Sequence, residues 1–557
     1  MGSPRSVLLL AAGFLALYVF TTTRSTLWDR DEPRFATASR EMINTGQYLY
    51  PTFNGELRPD KPILIYWLMS VSMRLFGPSE LACRFFAPWA AVAAGLLTCW
   101  IGRRLFTSRV GVWSLAILLS TPLMVMTGTA ATTDAVLLAL IVAALVPFFF
   151  TIEAQPRLLH GMAMTAALAA ALLTKGPVGL LPLLTIGSVL VMARDRGRQP
   201  RCHWGMPLIA SLLALGIFLI WAVPANLATD GEILRRGLGH HVLNRAVQPL
   251  EHHGGNLLIY LPYYFLVIGL AFSPWTIFLP GAVSATIGGR LGGAIGRSLL
   301  ISWAIPTFLV MTLCVTKLPH YVLPLWPALA LAVAGVIDAA ERQTLTARDI
   351  RWLKRGAWLY GPVAVIFGVA LIAAPWYLDD TPLRVLGAVA GSTVLLMSVV
   401  GLRHHVAGRF QASAWTALIG WAITHGLIAG AGLPMMERFA KPAVNVARTI
   451  AQHTDSQVPV ATHGFNEPSL NFYIDRGPIR SLAGAHEVRQ WCATREPGVL
   501  VITEERYRML ARRIKNHSLA LIGSHRGFNC AKGDSVGLRI LVRGASIPRQ
   551  DENRTAR

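Results

Sequence analysis

Long hydrophobic runs separated by short polar segments fill most of the chain up to residue 433. Many of these runs approach the roughly 20 residues that an α-helix needs to cross a bilayer. The pattern predicts thirteen transmembrane helices, at 5–23, 80–102, 110–126, 132–152, 158–174, 177–193, 206–226, 257–285, 298–315, 320–337, 356–376, 382–401 and 411–433. A further apolar run, 61–76, is short and begins with Lys-Pro, so we expect a helix along the membrane face.

The charged residues between these spans are concentrated on one side of the membrane. If the N-terminus is cytoplasmic, the loops after the even-numbered spans are cytoplasmic too, and they carry 17 Lys and Arg residues against three in the short loops opposite. The 17 are Arg103, Arg104, Arg109, Arg157, Arg194, Arg196, Arg198, Arg201, Arg290, Arg297, Arg342, Arg348, Arg351, Lys354, Arg355, Arg403 and Arg409. The three are Lys175, Lys317 and Arg384. Positive charge collects on the cytoplasmic side of helical membrane proteins, so the charges support both the span count and this orientation.

Three longer segments then fall on the outer side of the membrane, at about 24–79, 227–256 and 434–557. The first hydrophobic run is followed by Thr-Thr-Thr-Arg and by no small-residue cleavage site, so we expect a membrane helix and not a removed signal peptide. The chain is therefore predicted to contain a transmembrane domain, 1–433, with outer loops at about 24–79 and 227–256, and an outer C-terminal domain, 434–557.

The C-terminal segment has a different pattern, in which short β-type runs alternate with helical ones. Strand composition occurs at 458–462, 499–503, 519–523 and 537–542, and helical composition at Ala485–Ala493 and Glu504–Ile514. This alternation predicts a small α/β domain of roughly 110 residues. Cys492 and Cys530 both belong to this domain, in a compartment that is expected to be oxidising. They either form a disulfide or remain two separate thiols, and the sequence leaves both alternatives open.

Composition and charge narrow the class of protein. The 557 residues are 53% hydrophobic and 14% charged, with a mean hydropathy of +0.48, whereas soluble domains carry about 25% charged residues. The net charge of +22 reflects in part the cytoplasmic arginines, and the Arg and His residues of the outer segments suit anionic lipid head groups or phosphates. Nucleic acid is a poor alternative partner, because no basic, aromatic-interleaved soluble domain is present.

Residues 29–34, Asp-Arg-Asp-Glu-Pro-Arg, follow the first span at the outer mouth of a membrane helix. Ionisable groups at such a position are costly and indicate function. Asp-Glu-Pro is also a good way to open a helix, because Pro suits the first helical position and acids suit the positive end of the dipole. Capping explains one or two of the acids but not three. We therefore interpret Asp31 as catalytic, Arg34 as a phosphate ligand and Asp29 as solvated surface.

Four more charged residues lie at predicted outer helix ends: Asp60, Lys61, Asp134 and Lys175. Lys61 suits a phosphate, because an ammonium is a compact point charge, although a lysine here can also snorkel to water. Asp134 is either a catalytic carboxylate or a helix-capping residue. Lys175 lies in a tight Lys-Gly-Pro turn, which favours a structural role.

The second outer loop is rich in histidine, with His240, His241, His252 and His253 beside Arg245 and Glu251. Paired histidines near an acid are typical zinc ligands, and Asp60 and His241 are the candidate ligands of such a metal. The spacing matches no zinc motif, so solvated interfacial histidines are the favoured alternative. Arg245 is the better candidate for a phosphate contact, because guanidinium groups bind phosphate bidentately.

Lys317-Leu-Pro-His-Tyr321 joins spans nine and ten. A tyrosine alone is typical of the interfacial aromatic belt. A cation, an imidazole and a phenol within five residues are unusual there, and we interpret Lys317 and Tyr321 as ligands of a lipid phosphate.

These motifs together resemble a known family. Asp31-Glu32-x-Arg34, Ser39-Arg-Glu-Met and Lys61-Pro-Ile resemble the first periplasmic loop of the aminoarabinose transferases of lipid A. Lys175-Gly-Pro, Glu251-His-His with Pro274-Trp275, and Lys317-Leu-Pro-His-Tyr-Val-Leu-Pro are similar to their later outer segments. These enzymes are GT-C glycosyltransferases, related to the protein O-mannosyltransferases. The resemblance covers the whole membrane region in order, and the combination is specific.

The resemblance implies a polytopic α-helical GT-C fold with about 13 transmembrane helices and a small periplasmic α/β C-terminal domain. It implies an inverting enzyme of the bacterial inner membrane that moves 4-amino-4-deoxy-L-arabinose from undecaprenyl phosphate to a lipid A phosphate on the periplasmic face, conferring resistance to polymyxin. Asp31 and Asp134 are then the catalytic carboxylates, and Arg34, Lys61, Arg245, Lys317 and Tyr321 bind lipid phosphate. The expected enzyme is monomeric and requires no cofactor, a divalent metal such as zinc being the alternative.

Three other functions compete with this interpretation. A related GT-C enzyme moving another polyprenyl-linked sugar, or using a protein acceptor, is the nearest. A transporter or lipid flippase would place charges at the membrane midplane, whereas these charges cluster on one face. A non-enzymatic lipid-binding or assembly protein is the third.

Overall fold

The computed structural model describes residues 3–153, 155, 157–194, 204–237, 260–378, 380–514, 519–529 and 532–544. The chain divides into two compact units. The first, here called the membrane unit, comprises 1–23 and 59–432, and the second, the sheet unit, comprises Arg24–Arg58 and Leu433–Arg557. The segment 24–58, predicted from the sequence to belong to the transmembrane domain, thus groups with the C-terminal residues.

The membrane unit is helical. Its α-helices are Pro4–Thr22, Leu64–Phe76, Glu80–Arg84, Phe86–Leu105, Ser108–Leu119, Pro122–Gly128, Asp134–Glu153, Leu158–Lys175, Leu181–Arg194, Gly205–Leu227, Tyr263–Ala271, Leu279–Ile287, Gly293–Leu313, Trp326–Glu341, Ala347–Ala373, Thr381–Val406 and Phe410–Leu427. Short 3₁₀ helices lie at Gly176–Leu180, Trp275–Phe278, Pro319–Leu325 and Ala374–Tyr377, and a π-helical turn lies at Ile428–Gly432.

Within the described residues, 10 helices are long and apolar enough to cross a membrane, or up to 12 if two bent pairs each form one span. The pairs are Ser108–Leu119 with Pro122–Gly128, bent by 69°, and Tyr263–Ala271 with Trp275–Ile287, bent by 113°. Leu158–Met192 counts as one candidate span in this total of 12. The sequence pattern predicts two spans there, 158–174 and 177–193, which accounts for the difference from the thirteen predicted spans. Helix Leu64–Phe76 has 13 residues and is short for a span, as expected.

Small residues allow the helices of the membrane unit to approach closely. A Cβ on Gly102 would lie 2.8 Å from the Cα of Gly111, so two glycines form the contact between helices Phe86–Leu105 and Ser108–Leu119. Close backbone approach through small residues is the usual way in which membrane helices gain packing energy, because lipid supplies no hydrophobic drive between them.

Three buried tryptophans form hydrogen bonds inside the membrane unit, one of them to the segment that carries His320 and Tyr321. Trp303 donates its indole N–H to the carbonyl of Pro324 at 2.9 Å, and Trp326 donates to Thr121 Oγ1 at 3.1 Å. Trp275 donates to Ser120 Oγ at 2.8 Å. A buried indole N–H needs such an acceptor, and the bond from Trp303 holds the 3₁₀ helix Pro319–Leu325 against helix Gly293–Leu313.

The sheet unit is an α/β domain. Its helices are Asp31–Thr45, Leu433–Ala440, Pro442–His453, Pro468–Ile474, Ala485–Ala493 and Glu504–Ile514. Its strands are β1 (Thr52–Phe53), β2 (Glu56–Leu57), β3 (Val460–His463), β4 (Arg480–Ser481), β5 (Gly498–Thr503), β6 (Leu519–Asn529) and β7 (Asp534–Arg543).

Five of these strands form one mixed sheet in the order β4-β3-β5-β7-β6. β3 pairs in parallel with both β4 and β5, whereas β7 is antiparallel to β5 and β6. The central strands are buried, and Val499, Leu500, Val501 and Ile502 of β5 are fully so, as expected for a strand covered on both faces. The predicted C-terminal α/β domain is confirmed.

Candidate active site

Asp134 and Lys175 form an ion pair at two helix ends of the membrane unit. Asp134 opens helix Asp134–Glu153 and Lys175 closes helix Leu158–Lys175. Because consecutive antiparallel helices bring such ends together, Lys175 Nζ lies 2.6 Å from Asp134 Oδ1. Only 12% and 10% of the two side chains are exposed. A short, buried, charge-assisted bond of this kind is stronger than an exposed pair.

Lys61, His320 and Tyr321 lie around this ion pair. We call the five residues Asp134, Lys175, Lys61, His320 and Tyr321 the Asp134 cluster. His320, Lys175 and Lys61 lie close enough to act electrostatically on the Asp134 carboxylate. Lys175 Nζ also lies 5.4 Å from the centre of the Tyr321 ring, and the His320 and Tyr321 rings meet edge to face at 5.1 Å. Lys61 Nζ donates to the carbonyl of Asp60 at 3.2 Å. The cluster thus combines a carboxylate with two ammonium groups, an imidazole and a phenol.

The cluster contains two residues that were not among the predicted site residues. Lys175 was interpreted as structural and His320 was not singled out as a site residue, yet both lie in the cluster. The available signal for Lys175 was its rarity, since it is one of three cations in the short outer loops. Asp134 stands at a helix start and also holds a buried cation, and both its catalytic and its capping role stay predictions.

Lys317, predicted to bind a lipid phosphate, is buried and donates hydrogen bonds to backbone carbonyls. Its ammonium donates to the carbonyl of Met311 at 3.3 Å and to that of Thr312, at the end of helix Gly293–Leu313. It also lies 5.3 Å from the centre of the Tyr264 ring. Lys317 is buried, and burial lowers the pKa of its ammonium. These contacts make Lys317 a capping group for helix carbonyls that have no partner within the helix.

Lys317→Met is expected to lower the thermal stability of the full chain, because two helix-end carbonyls lose their donor. A buried polar group left without a partner costs about 1–3 kcal/mol. Lys61→Met is the matched control, since the same substitution there is expected to raise the KM for the lipid-linked donor with a smaller loss of stability. Thermal unfolding in detergent and donor titration of both variants give the comparison. An unchanged melting temperature with a raised KM for Lys317→Met would assign Lys317 to phosphate binding instead.

In the sheet unit, Asp31 and Arg34 lie in the first turn of helix Asp31–Thr45. Glu32 is buried and accepts the backbone N–H of Trp28 at 2.7 Å. The helix has Arg30 at its N-cap and no side-chain capping bond, so Glu32 instead ties the preceding residues to the first helical turn. Asp31 is exposed and Arg34 is partly exposed, so the carboxylate of Asp31 is open to solvent at the positive end of the helix.

Asp29 was interpreted as solvated surface, and this was wrong. Its Oδ1 accepts the backbone N–H of Ser469 at 2.8 Å, and its Oδ2 accepts the Ser469 hydroxyl at 2.5 Å. Burial raises the pKa of Asp29, while the bonds from Ser469 act in the opposite direction. Asp29 therefore joins the helix Pro468–Ile474 to the segment 24–58 of the same unit.

Several predicted residues fall outside the described part of the chain. These are Arg245 and His241, together with the other histidines of the second outer loop and Cys530. Cys492 is a buried free thiol. Among the described residues, no group of three or more His, Cys, Asp or Glu side chains is arranged to hold a metal. The metal ligands Asp60 and His241 and the phosphate ligand Arg245 stay predictions.

Comparison with known proteins confirms the resemblance seen in the motifs. Residues 60–222 match the family model described as dolichyl-phosphate-mannose-protein mannosyltransferase. The undecaprenyl phosphate-alpha-4-amino-4-deoxy-L-arabinose arabinosyl transferase of Edwardsiella ictaluri is 29% identical over 438 residues, which cover 76% of each chain. The protein of the same name from Shewanella sediminis is 26% identical over 495 residues, which cover 85% of each chain.

The fold is also that of a solved protein. The crystal structure of ArnT from Cupriavidus metallidurans bound to undecaprenyl phosphate matches with a TM-score of 0.73 and 22% identity, covering 96% of this chain and 98% of that one. The apo form of the same protein matches with a TM-score of 0.73 and 21% identity. The predicted fold class, a polytopic helical GT-C fold with a C-terminal sheet domain, is confirmed.

Proposed function

We propose that this chain is an inverting glycosyltransferase that moves 4-amino-4-deoxy-L-arabinose from undecaprenyl phosphate to a lipid A phosphate. The observation that carries the proposal is the Asp134 cluster, a buried carboxylate–ammonium pair with further cations at the ends of membrane helices. The arabinosyl transferase names of the relatives from Edwardsiella and Shewanella support the same donor and sugar.

The reaction breaks one bond and forms one. An oxygen of the acceptor phosphate attacks the anomeric carbon, the bond from that carbon to the donor phosphate breaks, and undecaprenyl phosphate leaves with the electron pair. Positive charge develops on the sugar and negative charge on the leaving phosphate. Carboxylates near the sugar and cations near the leaving oxygens stabilise such a transition state.

The chain offers both kinds of group. Asp31 and Asp134 are the proposed carboxylates, and Lys61, Arg34 and Arg245 the proposed phosphate ligands, with Tyr321 donating a hydrogen bond. Lys175 holds the Asp134 carboxylate in its orientation through their 2.6 Å contact. Because a phosphate acceptor is already ionised at neutral pH, the reaction needs no strong general base, and Asp31 orients the acceptor or balances the ammonium of the sugar.

The proposed location is the bacterial inner membrane, with Asp31, Asp134 and the C-terminal domain on the periplasmic side. Support comes from the uneven charge of the predicted loops, in which 17 cations stand against three when residues 158–193 cross the membrane twice, as the sequence pattern predicts. Both substrates are lipids, so a centre at helix ends allows each to enter from the bilayer.

A protein acceptor is the second candidate, and the match of residues 60–222 to a protein mannosyltransferase model favours it. A Ser or Thr hydroxyl, unlike a phosphate, requires a base to remove its proton. The two candidates therefore differ in their pH dependence as well as in their product.

Supplying the purified full-length chain with the undecaprenyl-linked sugar and either lipid A or a Ser/Thr peptide is expected to yield sugar-modified lipid A alone. Mass spectrometry of both acceptors reads the product. Deleting the protein in its bacterial host should remove the aminoarabinose increment from lipid A and make the cell sensitive to polymyxin. A glycopeptide product would establish the second candidate, and no product with either acceptor would refute both.

A further inference from the structure

The first three turns of helix Ala347–Ala373 carry four cations on the exposed side of the membrane unit. Arg348, Arg351, Lys354 and Arg355 are all exposed. The helix begins the candidate span Ala347–Tyr377. Only 22% of the most apolar part of this span is buried against the rest of the protein. The helix is thus among the most lipid-facing of the described spans, and we call its four cations, with Trp352 and Trp358, the basic strip.

Neighbouring arginines are neutralised by acids of the protein, but the basic strip is not. Arg109 lies 2.7 Å from Glu341, and Arg342 lies 3.0 Å from Asp338. The nearby acid of the helix itself, Asp349, is buried and bonds to Thr346 and Ser284, with Arg290 at 3.8 Å.

In the described part of the chain, by contrast, none of the four strip cations has an ion pair or a side-chain hydrogen bond. The guanidinium of Arg355 instead lies 4.9 Å from the centre of the Trp352 ring. Among the described residues, the arginines at contacts between helices therefore have acidic partners, whereas the four cations of the basic strip do not.

Two tryptophans on the same turns indicate what the strip faces. Trp352 is 40% exposed and Trp358 is 84% exposed. Exposed tryptophans at the end of a membrane helix are typical of the head-group level, where the ring is apolar and the N–H finds water or phosphate. Arg351, Arg355 and Trp358 follow at four- and three-residue spacing, so they lie along one side of the helix.

We propose that the basic strip binds the phosphate groups of anionic phospholipids. Four like charges within three turns repel one another unless anions lie among them. Guanidinium groups bind phosphate oxygens in pairs, and the tryptophans supply the apolar contact for the glycerol and upper acyl region. This site is separate from the sugar-transfer reaction and would exist whichever acceptor the enzyme uses.

Native mass spectrometry of the purified full-length chain titrated with phosphatidylglycerol or phosphatidylcholine tests the proposal. We expect tighter binding of phosphatidylglycerol, and a loss of about 25-fold in its affinity for Arg351→Gln/Arg355→Gln, taking about fivefold for each cation near an anionic surface. The matched control is Arg403→Gln/Arg409→Gln, which removes two exposed arginines at the connection between helices Thr381–Val406 and Phe410–Leu427 and should change the affinity by less than about twofold.

Three results would overturn the proposal. The first is equal affinity of the unaltered chain for the two lipids. The second is an equal loss in the two double variants, which would show only an effect of net charge. The third uses no variant: raising the salt concentration should weaken phosphatidylglycerol binding and leave phosphatidylcholine binding unchanged, and insensitivity to salt would contradict the proposed phosphate contacts.

Discussion

Asp134→Asn is expected to reduce sugar transfer by about 100-fold or more, because it removes a preorganised carboxylate from the place where charge develops. The same change leaves the ammonium of Lys175 buried without its counter-ion. Breaking a buried pair from one side costs about 3–5 kcal/mol. The single variant is therefore expected to lose both activity and stability, so activity alone does not distinguish catalysis from folding.

The double variant Asp134→Asn/Lys175→Gln separates the two effects. It removes both charges, so the thermal stability is expected to recover most of what the single variant lost. Transfer is expected to stay as low as in the single variant, because residues that act as a unit give non-additive losses. Melting temperature in detergent and initial rate are measured for the same preparations. Recovery of transfer together with stability would show that the pair is structural only.

Asp31→Asn is expected to abolish most transfer, by about 100-fold or more, with little change in stability. The reason is its environment: Asp31 is exposed in the first helical turn of the sheet unit. Its contribution to folding is the interaction with the helix dipole, worth about 0.3–1 kcal/mol. Initial rates and thermal unfolding of the full chain give the two readouts.

Asp29 provides a matched control only two residues away. Asp29→Ala removes both acceptors of Ser469 and is expected to destabilise the sheet unit by about 1–3 kcal/mol. Asp31→Ala should remain within about 1 kcal/mol of the unaltered chain. Near-normal transfer by Asp31→Asn would exclude Asp31 from the mechanism, and a large loss of stability in Asp31→Ala would show a structural role that the structure does not suggest.

The sequence predicted individual elements better than it predicted their partners. Strands at 499–503 and 537–542 were recognised because hydrophobic β-branched runs have few alternatives, and they correspond to β5 and β7. β4 escaped notice because it has only two residues, Arg480 and Ser481, both exposed. β6 runs to Asn529, six residues beyond the predicted end, because pairing with β7 extends it.

The candidate site shows the same limit. The scarcity of cations in the short outer loops drew attention to Lys175 and Lys317 alike. Lys175 meets an acid 41 residues earlier in the chain, whereas Lys317 meets carbonyls five and six residues back. Nothing in the local sequence distinguishes these outcomes, because the packing of helices decides which group each ammonium reaches.

The sequence pattern also does not predict that the segment 24–58 belongs to the sheet unit. Arg40 donates to the carbonyls of Phe472 and Asn471 at 2.7 and 2.9 Å, and Asn54 donates to that of Ile479 at 3.0 Å. These contacts join residues more than 400 positions apart, beyond the reach of any periodicity or motif.

The same contacts determine the order in which parts of the sheet unit can fold during synthesis. Arg40 leaves the ribosome more than 400 residues before the carbonyls to which it donates. At roughly 5–20 residues per second this is an interval of about 20–80 s. During that interval the segment 24–58 lacks the carbonyls of Asn471 and Phe472 to which Arg40 donates in the finished unit. A nascent chain stopped before Asn471 would therefore carry the segment 24–58 without these partners, which makes translation of the C-terminal part of the chain the step that completes the sheet unit.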